Sequence, residues 1–279
     1  MNTEQREDLG GGEAEERPEV LLDHAWDALE EGNAEGALEL AQALSEDDPA
    51  RAVLEVSALL ELDLLPQAEE VLGRATAATP VERDADLCWC AAELALRQWN
   101  FERAARLFRR TVELERTAPA LGRLALCADA RGDFQAADDY LRAAEELDPE
   151  GWAFPPRLDE EELTEILDEA IGRLEPDFQE AIEETPILIE PMPQRELIDL
   201  TDPSQTPPDM LGLFIGASRL ERSPEAAEMP ASIHIFQRNL ERACADREDL
   251  INELRVTLYH EIGHMLGFDE EGVDRMGLG

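Results

Sequence analysis

Lysine is absent from this chain of 279 residues, so all 24 of its basic residues are arginine. The chain also carries 66 aspartate and glutamate residues, which gives a formal net charge of −42 at pH 7. A surface this acidic repels nucleic acid and anionic membranes, and we predict binding to neither. The charge would suit a basic partner or a high-salt cytoplasm, but a generally solvated acidic surface is the simpler interpretation.

Cysteines and long apolar runs are scarce. The four cysteines form no CxxC pair, and this spacing is typical of reduced, intracellular thiols. Two of them, Cys88 and Cys127, lie in apolar helical patterns where we expect small buried hydrophobes. No stretch approaches the ~20 apolar residues of a membrane span, and the polar start of the chain is unlike a signal peptide. We therefore predict a cytoplasmic protein whose 43% hydrophobic residues form ordinary cores.

Residues 18–150 follow an acidic tail at 1–17 and are rich in Ala, Leu and Glu, without strand-like alternation. A short turn followed by a small residue recurs four times, with anchors at Ala37, Ala68, Ala104 and Ala137, at spacings of 31, 36 and 33. A small residue at this position lets each helix pack closely on the one before it. The pattern predicts an all-α array of helix pairs.

This array resembles tetratricopeptide repeats, whose period is about 34 residues. The resemblance implies a curved stack with a concave face that binds an extended peptide or a partner helix. We expect the partner to be a protein or peptide substrate or a regulator; the alternative is that the repeats only form a stable arm. Trp26, Trp89 and Trp99 occur at helical spacings and are predicted to lie in the core.

Residues 151–156, with Trp152 and the Pro155–Pro156 pair, interrupt the helical pattern and predict a domain boundary. The domain from 151 to 279 reads as α+β. Helices are expected at 158–174, 176–184, 239–244 and 247–266, strands at 185–190, 211–215 and 232–236, and irregular chain at the proline-rich 191–209.

The last of these helices carries the sequence HEIGH. His260 and His264 are four residues apart, so on a helix they share one face and can bind one metal ion, with Glu261 beside them. The apolar residues of this helix form a separate arc, which argues against histidines of the core. The alternative is a solvated helix with incidental histidines. The arc consists of Leu250, Ile251, Leu254, Leu258, Ile262 and Leu266.

The residues after this motif offer a third ligand. Gly267 allows the helix to end and the chain to turn back, which brings Asp269 and Glu270 within reach of the same metal. Two histidines and a carboxylate are a common ligand set of hydrolytic zinc, with water in the fourth position. Glu261 is then the general base, and we favour Glu270 over Asp269 as the third ligand.

The second domain resembles the minimal zincin-like metallopeptidases of bacteria. The matching segments are 211–216, 233–236, 238–241, 253–264 and 267–268, and the closing 272–277. The resemblance implies a zinc-binding α+β fold and peptidase activity. In that family the ligand three residues after the glycine is usually Asp, whereas this chain has Glu270. The whole chain is thus predicted to be multidomain, with a tetratricopeptide-like array followed by a small zincin-like domain.

His234 lies in a strand between Ile233 and Ile235, and it faces away from them. In zincin-like folds an edge strand lies over the metal helix and aligns the substrate, so His234 is a candidate for substrate or transition-state contact. The simpler expectation is a histidine that faces solvent.

Two functions remain open at this point. One is a Zn²⁺-dependent metallopeptidase whose repeat arm binds a protein. The other is a repeat-based interaction scaffold with a zincin-like module that binds metal but turns over little or no substrate.

Overall fold

A computed structural model describes residues 18–46, 48–77, 80–183, 185–198, 206–216 and 231–268. The chain divides into two compact units, residues 1–78 and residues 79–279. The second unit therefore contains the later repeats as well as the HEIGH helix. None of the helices in the described ranges is long and apolar enough to cross a membrane. The boundaries expected at 17/18 and 150/151 stay predictions.

In the part of the repeat region that the structure describes, eight helices pack on their neighbours within each unit. The four anchor alanines, Ala37, Ala68, Ala104 and Ala137, are all completely buried. The predicted helical array is therefore confirmed, and the small anchors lie buried between its helices. The helices are α1 (Pro18–Glu30), α2 (Ala34–Ala43), α3 (Pro49–Glu61), α4 (Leu65–Ala75), α5 (Ala85–Arg97), α6 (Phe101–Leu114), α7 (Ala118–Asp129) and α8 (Phe134–Leu147).

Each repeat turn contains one residue in the left-handed region, five positions before its anchor alanine. These residues are Gly32, Asp63, Trp99 and Gly132, with φ of +78°, +54°, +57° and +76°. Glycine adopts this conformation without strain, whereas aspartate and tryptophan adopt it less readily. The backbone repeat is therefore more regular than the sequence repeat.

The tryptophans only partly follow the prediction. Trp99 is buried, and Trp89 packs its edge against Phe108 with ring centroids 5.3 Å apart. Trp26 is 39% exposed, so its predicted place in the core is wrong. Helical spacing identifies the face of a helix but does not show whether another element covers that face.

The C-terminal part is α+β, as predicted. The three strands in the described residues have the order β1–β3–β2, with β1 parallel and β2 antiparallel to β3. The predicted irregular stretch 191–209 contains the short helix α11. The elements are α9 (Glu160–Gly172), α10 (Pro176–Ile182), β1 (Ile187–Glu190), α11 (Arg195–Ile198), β2 (Gly212–Ile215), β3 (Ser232–Phe236), α12 (Gln237–Ala243) and α13 (Arg247–Leu266).

Helix α13 buries its apolar arc against the sheet and α9. Leu250, Leu254, Leu258 and Ile262 are completely buried, and Ile235 of β3 belongs to the same core. Removing apolar surface of this kind from water contributes roughly 25 cal/mol per Å². The arc fixes the rotation of α13, and with it the direction in which the HEIGH side chains point.

A buried ionic cluster joins the last repeat pair to α12. Arg238 donates to Asp129 at 2.9 Å and to Asp138 at 2.6 Å. Arg157 donates to Asp138 at 2.8 Å and to Glu241 at 2.7 Å. Asp129 and Glu241 are almost completely buried, and charges in such places are tolerated when they are paired and hydrogen-bonded. The cluster explains why α7, α8 and α12 belong to one compact unit.

Candidate metal centre

Both ends of α13 are well defined. The Asp246 side chain caps the first turn by accepting from the backbone N–H of Glu248 at 2.8 Å. At the other end Gly267 has φ +98°, its N–H donates to the His264 carbonyl at 3.0 Å, and the Phe268 N–H donates to the Gly263 carbonyl at 3.0 Å. These two bonds form a Schellman motif, which glycine favours. The predicted helix end at Gly267 is confirmed.

The two motif histidines face each other across one helical turn. The Nε2 atoms of His260 and His264 are 3.0 Å apart, and their ring planes are inclined by 77°. Nδ1 of His264 lies 3.2 Å from the carbonyl oxygen of Phe268. Because a carbonyl only accepts, this contact fits a neutral His264 that carries its proton on Nδ1, the tautomer in which Nε2 can act as a metal ligand.

This pair fits zinc. Two nitrogens that each lie ~2.0–2.1 Å from a tetrahedral ion are roughly 3.4 Å apart, so the observed pair need open by only a few tenths of an ångström. Within the described residues no group of three His, Cys, Asp or Glu side chains converges on one point. Asp269 and Glu270, the predicted third ligands, lie outside the described residues.

Glu261 is 6% exposed and lies beneath β2. A Cβ atom placed on Gly212 would come within 3.2 Å of both Cγ and Oε1 of Glu261, and within 2.6 Å of Cγ2 of Thr257. The missing side chain of Gly212 therefore makes room for the carboxylate. Sequence reasoning overlooked this residue, although an isolated glycine in a strand pattern is a signal for close approach.

His234 does not face the motif helix. Its neighbours Ile233 and Ile235 belong to the core that includes α13, so alternation along β3 directs His234 to the opposite face of the sheet. There its Nδ1 lies 2.8 Å from Oε2 of Glu190, and its Nε2 lies 3.0 Å from Oγ of Ser232. His234 is only 5% exposed, so the expectation of a solvent-facing histidine is wrong.

Tyr259, the residue before the first histidine, holds α13 in place. Its hydroxyl accepts from the Glu175 N–H at 3.1 Å, and its ring contacts Phe178 edge to face at 4.9 Å between centroids. This contact fixes α13 against the start of α10.

A cavity of about 470 Å³ lies elsewhere in this unit, between α5, α7 and α12. Its walls include Trp89, Trp152 and Arg123, and none of the HEIGH residues lines it. The paired histidines are thus a separate site.

The fold and the paired histidines define the class: a small α+β domain with an HExxH helix, preceded by helical repeats. Residues 182–278 match the family model of the zincin-like metallopeptidases, so the C-terminal domain is zincin-like. A solved structure similar to this chain is a thermophilic TPR protein from Thermus thermophilus, with 22% identity and a TM-score of 0.45 over 50% of this chain and 77% of that one. A comparison with curated proteins gives no match.

Proposed function

We propose that this protein is a zinc-dependent metallopeptidase. The observation that carries the proposal is the approach of the His260 and His264 Nε2 atoms to 3.0 Å, with the buried Glu261 on the next position of the same helix. The match to the zincin-like family over residues 182–278 supports it. We propose Glu270 as the third ligand and Asp269 as a neighbour that holds it or replaces it.

Bound zinc would supply Lewis-acid chemistry, making a water molecule more acidic and a peptide carbonyl more electrophilic. Glu261 would accept the proton of the attacking water and deliver it to the leaving amine. Its place beneath β2 keeps bulk water away from one side of the carboxylate. Within the described residues β2 is an edge strand, so an extended peptide could pair with its open side.

We also propose that the repeats bind a protein substrate or a regulator. In the first unit a cleft of about 590 Å³ lies along α2, α3 and α4, and Gln67 and Arg74 are among its lining residues. Replacing both residues by glutamate should raise KM for a protein substrate but leave cleavage of short peptides unchanged. The four buried, disulfide-free cysteines agree with the proposed cytoplasmic location.

The test is cleavage of a peptide library by the wild-type protein, by Glu261→Gln and by Glu253→Gln. Glu253 lies on the same helix two turns before Glu261, so its variant controls for the loss of one charge. We expect Glu261→Gln to retain zinc and lose at least ~100-fold in kcat, with Glu253→Gln close to wild type. A wild-type protein that holds zinc and cleaves no peptide would instead favour the interaction scaffold.

A further inference from the structure

We propose that Gly212 is a positioning residue for Glu261, and that the later repeats hold Gly212 in place. This inference rests on the proposed function. It assigns a role to a residue outside the HEIGH motif. Because Gly212 has no side chain, β2 leaves room for the Glu261 carboxylate and so sets the direction of the general base.

The argument begins with the space around Gly212. A methyl group there would lie 2.6 Å from Thr257 Cγ2, which is shorter than ordinary contacts between carbon atoms. Thr257 is buried and β-branched, so its χ1 rotates with difficulty. Glu261 is unbranched, and its Cγ and Oε1 would lie 3.2 Å from the same methyl. The contact with Glu261 is relieved by a shift of its side chain by a few tenths of an ångström, whereas the contact with Thr257 is relieved only where Thr257 itself moves.

The backbone on either side cannot relieve this contact. Gly212 pairs with Ile235 of β3, which is completely buried in the core. Thr257 and Glu261 lie on α13, whose apolar arc is buried against the same sheet. A larger residue at 212 thus presses on Glu261 between two elements that are fixed by the core.

The chain just before Gly212 is held by the second unit's repeat helices and α12. The Trp99 Nε1–H donates to the Thr206 carbonyl at 3.1 Å, and Arg123 donates to the Asp209 carboxylate at 2.8 Å. The Asn239 side chain, which is buried, donates to the carbonyls of Pro208 and Met210 at 2.9 and 2.7 Å. These bonds fix residues 206–210 immediately before β2.

The proposal predicts a specific loss in Gly212→Ala. Because a displacement of a catalytic group by about 1 Å can cost ~100-fold in rate, a shift of a few tenths should cost on the order of tenfold. The loss should appear in kcat, with KM and zinc content unchanged. Thr257→Ser removes the closest methyl group but leaves the contact with Glu261, so Gly212→Ala/Thr257→Ser should recover stability and keep most of the loss in kcat.

The experiment compares six zinc-loaded proteins: wild type, Gly212→Ala, Thr257→Ser, the double variant, Gly172→Ala and Glu261→Gln. Gly172 ends α9, and a Cβ there meets nothing within 4 Å, so Gly172→Ala is the matched control. Besides kcat and KM, calorimetry measures binding of a peptide hydroxamate, with Glu261→Gln as the reference for a lost base contact. This second readout requires no turnover.

The expected result is a hydroxamate affinity about tenfold weaker in Gly212→Ala and in the double variant, and unchanged in Thr257→Ser and Gly172→Ala. If Glu261→Gln weakens binding but Gly212→Ala binds as wild type does, the positioning role is wrong and the proposed function stands. If Gly212→Ala loses zinc, or if Thr257→Ser restores the wild-type affinity in the double variant, Gly212 is merely structural. Wild-type protein that takes up no zinc would refute the proposed function itself.

Discussion

Nδ1 of His264 and the carbonyl oxygen of Phe268 are 3.2 Å apart, across the turn that ends α13. The contact links the orientation of His264, a proposed zinc ligand, to the conformation of Gly267, whose positive φ directs the chain back over the last helical turn. Partners of this kind fix the tautomer and the rotation of a ligating histidine. The end of the helix is thus part of the proposed metal site.

Gly267→Ala should weaken zinc binding through this turn. An L-residue at φ +98° is strained, and we expect a loss of about 1–2 kcal/mol in the free energy of unfolding. Zinc affinity should fall on the order of tenfold because the His264 ring loses its partner. The matched control is Gly132→Ala, which carries a similar strain at φ +76° in a repeat turn. Chelator competition on both variants checks the prediction, and equal zinc affinities would contradict it.

His234→Ala should reduce stability and leave the metal site intact. The change leaves Glu190 and Ser232 without their histidine partner on the face of the sheet opposite α13. We expect the free energy of unfolding to fall by about 1–3 kcal/mol. Urea unfolding and zinc content on the same preparation check this expectation. A variant of wild-type stability with a large loss in kcat would instead support a role for His234 in catalysis.

The ionic cluster predicts a pH-dependent contribution from Asp138. Burial alone raises the pKa of Asp138, but the hydrogen bonds and charges of Arg157 and Arg238 outweigh it and hold the pKa below its ordinary value. A depressed pKa stabilises the folded state above the unfolded pKa of ~3.9, and this contribution is lost as the pH falls through the folded pKa.

Asp138→Asn should therefore lower the free energy of unfolding at pH 7 by on the order of 1 kcal/mol. The difference between wild type and variant should shrink below about pH 4. Urea titrations at several pH values measure it. Asp139→Asn is the control, since the Asp139 side chain is 65% exposed on the same helix. A difference independent of pH would exclude the ionised carboxylate as its source.

The cysteine thiols should be inert in the folded protein. Burial raises the pKa of Cys127 and of Cys244 to about 12, and it raises that of Cys88 as well. Since the thiolate is the reactive form, iodoacetamide at pH 8 should modify the native protein far more slowly than the urea-unfolded protein. Mass spectrometry of both samples tests this, and rapid alkylation of native Cys127 would contradict it.

Much of the fold could be predicted because its signals are local. The bounds of β3 and α13 follow from alternation and from the apolar arc, and the repeat anchors follow from their spacing. Trp26 was placed wrongly because the spacing of a side chain on a helix does not reveal what covers it.

The contacts that sequence reasoning overlooked are distant in the chain. Glu190 meets His234 only because β1 and β3 pair in parallel, and Gly212 meets Glu261 only because β2 packs on α13. Such contacts depend on strand order and register, which no local sequence pattern specifies. For the metal site, the paired histidines were predictable from their spacing. The choice between Glu270 and Asp269 stays a prediction.

The most direct test of the account is elemental analysis of zinc in wild type, His260→Ala and His264→Ala, purified in parallel and dialysed against the same buffer. We predict about one zinc ion per wild-type chain and almost none in either variant, all three remaining folded by circular dichroism. Wild-type protein that stays metal-free after incubation with zinc, or variants that retain as much zinc as wild type, would contradict the account.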